Sequence, residues 1–139
     1  MKKYLYLQDG THFEGTAFGA TNEIAGEVVF NTSMVGYQEA LSDPSYANQL
    51  LTFTYPLIGT YGVDPTRNQS TGILAQCAIV HTLENEPGPT GETLNDYLMK
   101  YHVPGIQGVD TRQLTKHIRQ SHTMQAVLLN QPLAGDFDA

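Results

Sequence analysis

The hydrophobic period changes partway along this chain, and the change restricts it to folds that mix strands with helices. Before residue 80 the apolar residues come in short, β-rich runs broken by Gly, Pro, Asp and Asn. Residues 4–7 read as a strand, and Asp9-Gly10 is a hairpin turn into a second strand over 11–15. Residues 19–26 are a loop by composition, and 27–32 are β-rich again. A short helix fits 36–41, and Asp43 ends it because the residue before Pro44 is pushed out of the α region. Residues 50–55 alternate aliphatic or aromatic side chains with threonine, a strand closed by Pro56. Residues 65–72 are polar and turn-like. The apolar run 73–80, broken only by Gln76, predicts an interior strand.

Beyond residue 84 the pattern becomes helical. Residues 84–91 are acidic and rich in Pro and Gly, an exposed loop. Thr90 or Gly91 is placed to cap a helix, with Glu92 facing its positive end. Leu94, Tyr97, Leu98 and Tyr101 follow at i, i+3, i+4 and i+7, one apolar stripe. Pro104-Gly105 stops that helix, and 105–109 form a short strand or turn. Asp110 or Thr111 caps a second helix, with Leu114, His117 and Ile118 on its buried face and Arg112, Lys116 and Arg119 on its solvated one. Residues 124–129 are a last strand, and 130–139 are a polar tail. Strands first and helix–strand units after predict an α/β or α+β domain with a mixed sheet.

Charge narrows the function. Seven Lys and Arg stand against 14 Asp and Glu in 139 residues, a formal net charge of −7. The basic footprint that nucleic acid or an anionic membrane surface requires is missing. Only 15% of residues are charged, so much of the surface is neutral and available for cover by another domain or chain. The apolar N-terminal stretch is too short for a signal-peptide core, and no run approaches a membrane span. With one cysteine there is no internal disulfide, which fits a reducing compartment, so a soluble cytoplasmic protein is expected.

Few residues here suit catalysis. Cys77 lies in an apolar strand without the base or helix start that lowers a thiol pKa, so it reads as a buried structural thiol. The five histidines are scattered; His117 and His122 are not spaced to put two ligands on one helix face, and no metal-ligand cluster is visible. His102 reads as a favourable charge at a helix end. Neither Gly-x-Gly-x-x-Gly nor a P-loop triplet occurs. Asp110-Thr111-Arg112 reads as a cap followed by a solvated arginine. One region is denser in functional types: Asn31-Thr32-Ser33-Met34-Val35-Gly36-Tyr37-Gln38-Glu39, then Asp43-Pro44-Ser45-Tyr46. Composition leaves it open whether these groups bind a ligand or satisfy their own turns.

These segments, with Gly26-Glu27-Val28-Val29-Phe30 before them, Thr54-Tyr55-Pro56-Leu57-Ile58-Gly59 after, and Gly108-Val109-Asp110-Thr111-Arg112-Gln113-Leu114-Thr115 further on, closely resemble the small (glutaminase) subunit of carbamoyl-phosphate synthetase. The resemblance runs from Leu5 to about Leu129 and implies a three-layer β/β/α domain of the swivelling type with a mixed sheet. It implies that residues 1–130 are the N-terminal domain of the small chain, docking on the large synthetase subunit, and that 131–139 begin a linker to a class I glutamine amidotransferase domain. The Gly-x-Cys-x-Gly turn of that second domain does not occur here. No catalytic residue, metal site or cofactor is therefore expected in this chain; ATP and Mg belong to the large subunit. The whole enzyme would make carbamoyl phosphate from glutamine, bicarbonate and two ATP. Ser45 matches the family serine that helps bind glutamine at the seam between the two small-chain domains. The 31–39 loop would support that seam or the ammonia exit. Thr60, Cys77, His81 and Thr82 depart from the family pattern. A free-standing interaction module of the same fold is the alternative.

Overall fold

The computed structural model describes residues 1–33, 36–64, 66, 72–121 and 123–133. The first hairpin forms as its turn chemistry requires. Strand β1 (Lys2–Leu7) pairs antiparallel with β2 (His12–Gly19). Gly10 adopts φ +94°, the Gly10 amide donates to the Leu7 carbonyl, and the Asp9 carboxylate accepts the Thr11 amide at 3.1 Å. The strand continues to Gly19, four residues past its expected end, because Thr16 to Gly19 also pair with a later strand. Strand β3 (Ile24–Asn31) starts earlier than composition indicates, for the same reason: Ile24 to Glu27 pair with the last strand.

The 36–41 helix is observed as α1 (Tyr37–Ser42), ended at Asp43. A 3-10 turn (Pro44–Tyr46) leads into β4 (Gln49–Phe53). The apolar run 73–80 pairs only over β6 (Cys77–Ile79). Its first residues are held otherwise, since the Leu74 and Ala75 amides donate to the Leu41 carbonyl at 2.9 and 3.2 Å. Of these first residues only Ala75 is buried, and Leu74 is exposed, so the interior strand is confined to the end of the run. Two-residue strands β5 (Leu57–Ile58) and β7 (Thr82–Leu83) pair with each other; neither is long enough to show a period in the sequence. Most of 65–72, His122 and 134–139 lie outside the described residues, so the 65–72 turn, His122 and most of the expected linker do too.

Helix α2 (Leu94–Lys100) is capped by Thr93, whose hydroxyl accepts the Asp96 amide, and not by Thr90 or Gly91. Gly91 instead sits at φ +86° in the preceding turn. Its Leu94, Tyr97 and Leu98 are buried as the stripe predicts. Strand β8 (Pro104–Gln107) precedes α3 (Thr111–Arg119), capped by the Asp110 carboxylate on the Gln113 amide at 3.0 Å. Strand β9 (Gln125–Leu129) is the last.

The fold is thus α/β with a mixed sheet. Seven strands close into a barrel in the order β1-β2-β8-β6-β4-β3-β9. Strands β3, β4, β6 and β8 run parallel, while β9, β1 and β2 are antiparallel. Alternation then sorts the side chains. Leu5, Leu7, Val28, Leu50, Cys77, Ile79, Ile106 and Leu128 form one core inside the ring, joined by Leu114 and Ile118 of α3. Leu51, Phe53, Ala78 and Val80 face outward, against Tyr37 and Leu41 of α1 and Leu94, Tyr97 and Leu98 of α2. Phe18 lies flat on Gly105, where a Cβ would come within 2.5 Å of its ring.

The two ends of the barrel are closed differently. Helix α3 covers the end where β3 and β4 finish. Lys3, on the inward face of β1 with Leu5, is fully buried at the other end. Its ammonium donates to the carbonyls of Thr21 and Asn22 at 3.1 and 3.0 Å, tying down the β2–β3 loop.

His117 is not on the buried face of α3. Its side chain is partly exposed, hydrogen-bonded to the Asp9 carboxylate and 3.2 Å from the Thr11 hydroxyl. Partial burial pushes the Asp9 carboxyl up, but the Thr11 amide, His117 and the Thr11 hydroxyl outweigh it and hold it below the usual carboxylate range. A depressed carboxyl stabilises the fold above the unfolded-state value of about 3.9, and that stabilisation is lost as pH falls through the folded-state value. Asp9→Asn is expected to cost about 0.5 kcal/mol at neutral pH, given solvent screening, and nothing below the carboxylate range. Thermal melts of both proteins at the two pH values check this.

Candidate functional site

The functionally dense region folds around α1. A helix of six residues does not hold itself together, so its place depends on side chains. Tyr37 donates its hydroxyl to the Gly62 carbonyl at 2.6 Å and accepts the Tyr61 amide at 3.1 Å. Gln38 is fully buried and bonds both backbone groups of Asp64, at 2.6 and 2.9 Å. Tyr61 stacks on Tyr37 with centroids 4.2 Å apart, and its hydroxyl accepts the Gly36 amide. These bonds clamp α1 to residues 61–64, and none of the partners is visible from local sequence.

The rest of the region is joined across the end of β3. Asn31 donates to the Tyr46 hydroxyl at 3.2 Å, its side-chain oxygen accepts the Ser33 amide, and its carbonyl accepts from both the amide and hydroxyl of Thr54. Asn31, Tyr46 and Thr54, far apart in sequence, are one connected group. Met34 and Val35 lie outside the described residues. Glu39 is half-buried, and its Oε1 is buried without a hydrogen-bond partner among the described residues.

Ser45 sits in the 3-10 turn that Asp43 organises. The Asp43 carboxylate accepts the Ser45 amide at 2.9 Å, and Pro44 fixes the first turn position. Ser45 is exposed, and no bond to its hydroxyl is found among the described residues. A side chain held at its backbone with a free hydroxyl can donate to or accept from a ligand brought to it. The self-satisfaction of turn residues accounts for Asp43 and Asn31; it does not account for Ser45 or Glu39.

Cys77 is the opposite case. It is fully buried inside the barrel, and burial drives its thiol far above the ordinary range, outweighing the opposing pull of the Lys3 ammonium. Such a thiol is not a nucleophile. Among the described residues no three His, Cys, Asp or Glu side chains converge as metal ligands, and no helix is long and apolar enough to cross a membrane. His102 is exposed at the end of α2 with φ +59°. The fold and site therefore define a barrel domain that presents polar groups at its surface while its thiol is sealed inside.

The chain belongs to the carbamoyl-phosphate synthase small chain family, whose CPSase domain matches residues 5–128. It is 48% identical over 136 residues to the carbamoyl phosphate synthase small chain of Clostridium acetobutylicum, covering 96% of this chain and 39% of that protein. It is 48% identical over 134 residues to the small chain of Streptococcus mutans, covering 94% and 36%. It is 43% identical over 140 residues to the pyrimidine-specific small chain of Lactiplantibacillus plantarum, covering 99% and 38%. The chain thus spans under two-fifths of the length of these curated relatives.

Proposed function

We propose that residues 1–130 are the N-terminal docking and substrate-positioning domain of the small chain of a glutamine-hydrolysing carbamoyl-phosphate synthase, with 131–139 starting the linker to an amidotransferase domain. The observation that carries this reading is the family match over 5–128 in a chain whose only cysteine is sealed in the barrel. Bond breaking then falls to the amidotransferase domain and to the large subunit, which holds ATP and Mg. In this reading the parallel strands, the antiparallel strands and the α1–α2 face are the three layers of a swivelling β/β/α fold. The enzyme is cytoplasmic and supplies carbamoyl phosphate for pyrimidine or arginine synthesis; the L. plantarum relative is named for the former.

Ser45 positions glutamine. Its backbone is pinned by Asp43, so the hydroxyl is presented at little further entropic cost. Ser45→Ala in the full-length small chain is expected to lower glutamine-dependent kcat/KM roughly fivefold, the worth of about 1 kcal/mol for one hydrogen bond, and to leave ammonia-dependent synthesis unchanged. Equal loss with both nitrogen sources, or no loss, removes Ser45 from the site. The docking role is tested by capture of the large subunit with this domain. Glutamine hydrolysis by the 139-residue chain alone would refute the division of labour.

A further inference from the structure

The parallel strands β3, β4 and β6 finish at the same end of the barrel, and α3 lies across it. Between them is a cleft of about 700 Å3, lined by Thr32 and Thr54, which follow β3 and β4, by His81 beyond β6, and by the face of α3. In α/β proteins the carboxyl ends of parallel strands are where ligands bind. Three of the chain's seven Lys and Arg enter this cleft: Arg112, Lys116 and Arg119, one helical stripe at i, i+4 and i+7. They form no salt bridge with any described residue; Arg119 lies 5.4 Å from the Phe30 ring centroid. The one acidic residue lining the cleft, Asp110, is engaged as the cap on the Gln113 amide. In a chain of net charge −7, a concave surface with a surplus of two positive charges is unlike its surroundings.

A second observation is independent of charge. Thr115 also lines the cleft, is 6% exposed, and its hydroxyl has no hydrogen-bond partner among the described residues. A buried hydroxyl without a partner is costly unless a ligand supplies one.

We propose that this cleft binds a phosphate dianion, free or as a monoester, through Arg112, Lys116 and Arg119 with Thr115 as an additional donor. Ser45 does not line this cleft, although Thr54 belongs to the Asn31–Tyr46–Thr54 group beside Ser45, and the proposal does not depend on the glutamine reading. The guanidinium groups give forked donors and the ammonium a point charge, which suits a tetrahedral anion with three free oxygens. The Asp110 cap already engages the first turn of α3, so the side chains supply the binding.

The test is titration of the 139-residue chain with inorganic phosphate and with a nucleoside monophosphate, followed by amide NMR, against acetate and chloride at equal ionic strength. Saturable shifts confined to α3 and residues 32, 54 and 81 are expected with both phosphates. Arg112→Gln and Lys116→Gln, both at exposed positions, are expected to weaken binding roughly tenfold each, and Thr115→Val severalfold. A response to the monoester alone identifies an esterified phosphate as the ligand; equal affinity for both identifies the free anion. Equal shifts with acetate or chloride, no saturation, or affinity unchanged in Arg112→Gln and Lys116→Gln overturns the proposal. So does loss of large-subunit capture by Lys116→Gln with no phosphate response in the parent chain, because the basic face would then be a docking surface for an acidic protein.

Discussion

Replacing Lys3 by alanine is expected to destabilise this protein by about 3–4 kcal/mol, while Lys3→Met costs about 1. The difference separates the two tasks of the side chain. Its four-carbon stem fills one end of the barrel beside Leu5, with no solvent exposure. Its ammonium donates to the Thr21 and Asn22 carbonyls, the first of which also accepts from the Asn130 side-chain amide. Methionine keeps the stem and removes both the donors and the buried charge; alanine removes everything and leaves a cavity. Burial pulls the ammonium below the ordinary lysine range. The sign is therefore the reverse of that for a surface ion pair. The folded state gives up this proton before the unfolded chain does, so stability from this group rises as pH climbs from the folded-state value toward about 10.4. Urea titrations of the parent and both variants, at neutral pH and near pH 10, check the magnitudes and the slope. Equal losses for Ala and Met would mean that the stem does not pack.

Gly62→Ala is expected to cost about 2–4 kcal/mol, combining a left-handed backbone with a clash that cannot relax. Gly62 has φ +65°, and a Cβ there would stand 2.1 Å from the Gly88 nitrogen and 2.4 Å from the Pro87 carbonyl carbon. Both obstacles are backbone. Gly88 faces the same restriction from the other side, with the Val63 oxygen 2.2 Å from its would-be Cβ. Two loops thus touch main chain to main chain. The Gly62 carbonyl also receives the Tyr37 hydroxyl, so displacing it loosens α1. Urea titration gives the loss. Hydrogen exchange of α1 amides distinguishes a local opening, with fast exchange in α1 alone, from a uniform effect. A loss below 0.5 kcal/mol, on the scale of an ordinary surface substitution, would contradict the close approach.

Sequence reasoning reached the elements whose signals are local. Asp9-Gly10 set a hairpin, Asp43-Pro44 ended a helix, Asp110 capped another, and the Leu94–Tyr97–Leu98 stripe found its buried face. It failed where long-range pairing decides. Gly19 and Ile24 look like loop residues until β8 and β9 arrive to pair with them. His117 fits the apolar stripe of α3 by spacing, yet Asp9, 108 residues earlier, draws it to the surface. In the candidate site region, the Asp43-Pro44 turn that holds Ser45 was legible, while the Asn31–Tyr46–Thr54 group and the Gln38–Asp64 clamp join residues whose spacing carries no signal. The Arg112–Lys116–Arg119 stripe was legible as a solvated face; that it borders a concavity depends on where three strands end.

The closed ring has a bearing on how this protein behaves when crowded or stored. Each of its seven strands has neighbours on both flanks, so no strand presents a full-length open edge for another chain to extend. Among the described residues, unpaired flanks remain on β5 and β7, at two residues apiece, and on the parts of β2 and β3 that run past their β8 and β9 partners, all shorter than the roughly six residues that seed cross-β growth. Sheet extension along a whole strand must wait until the barrel itself opens.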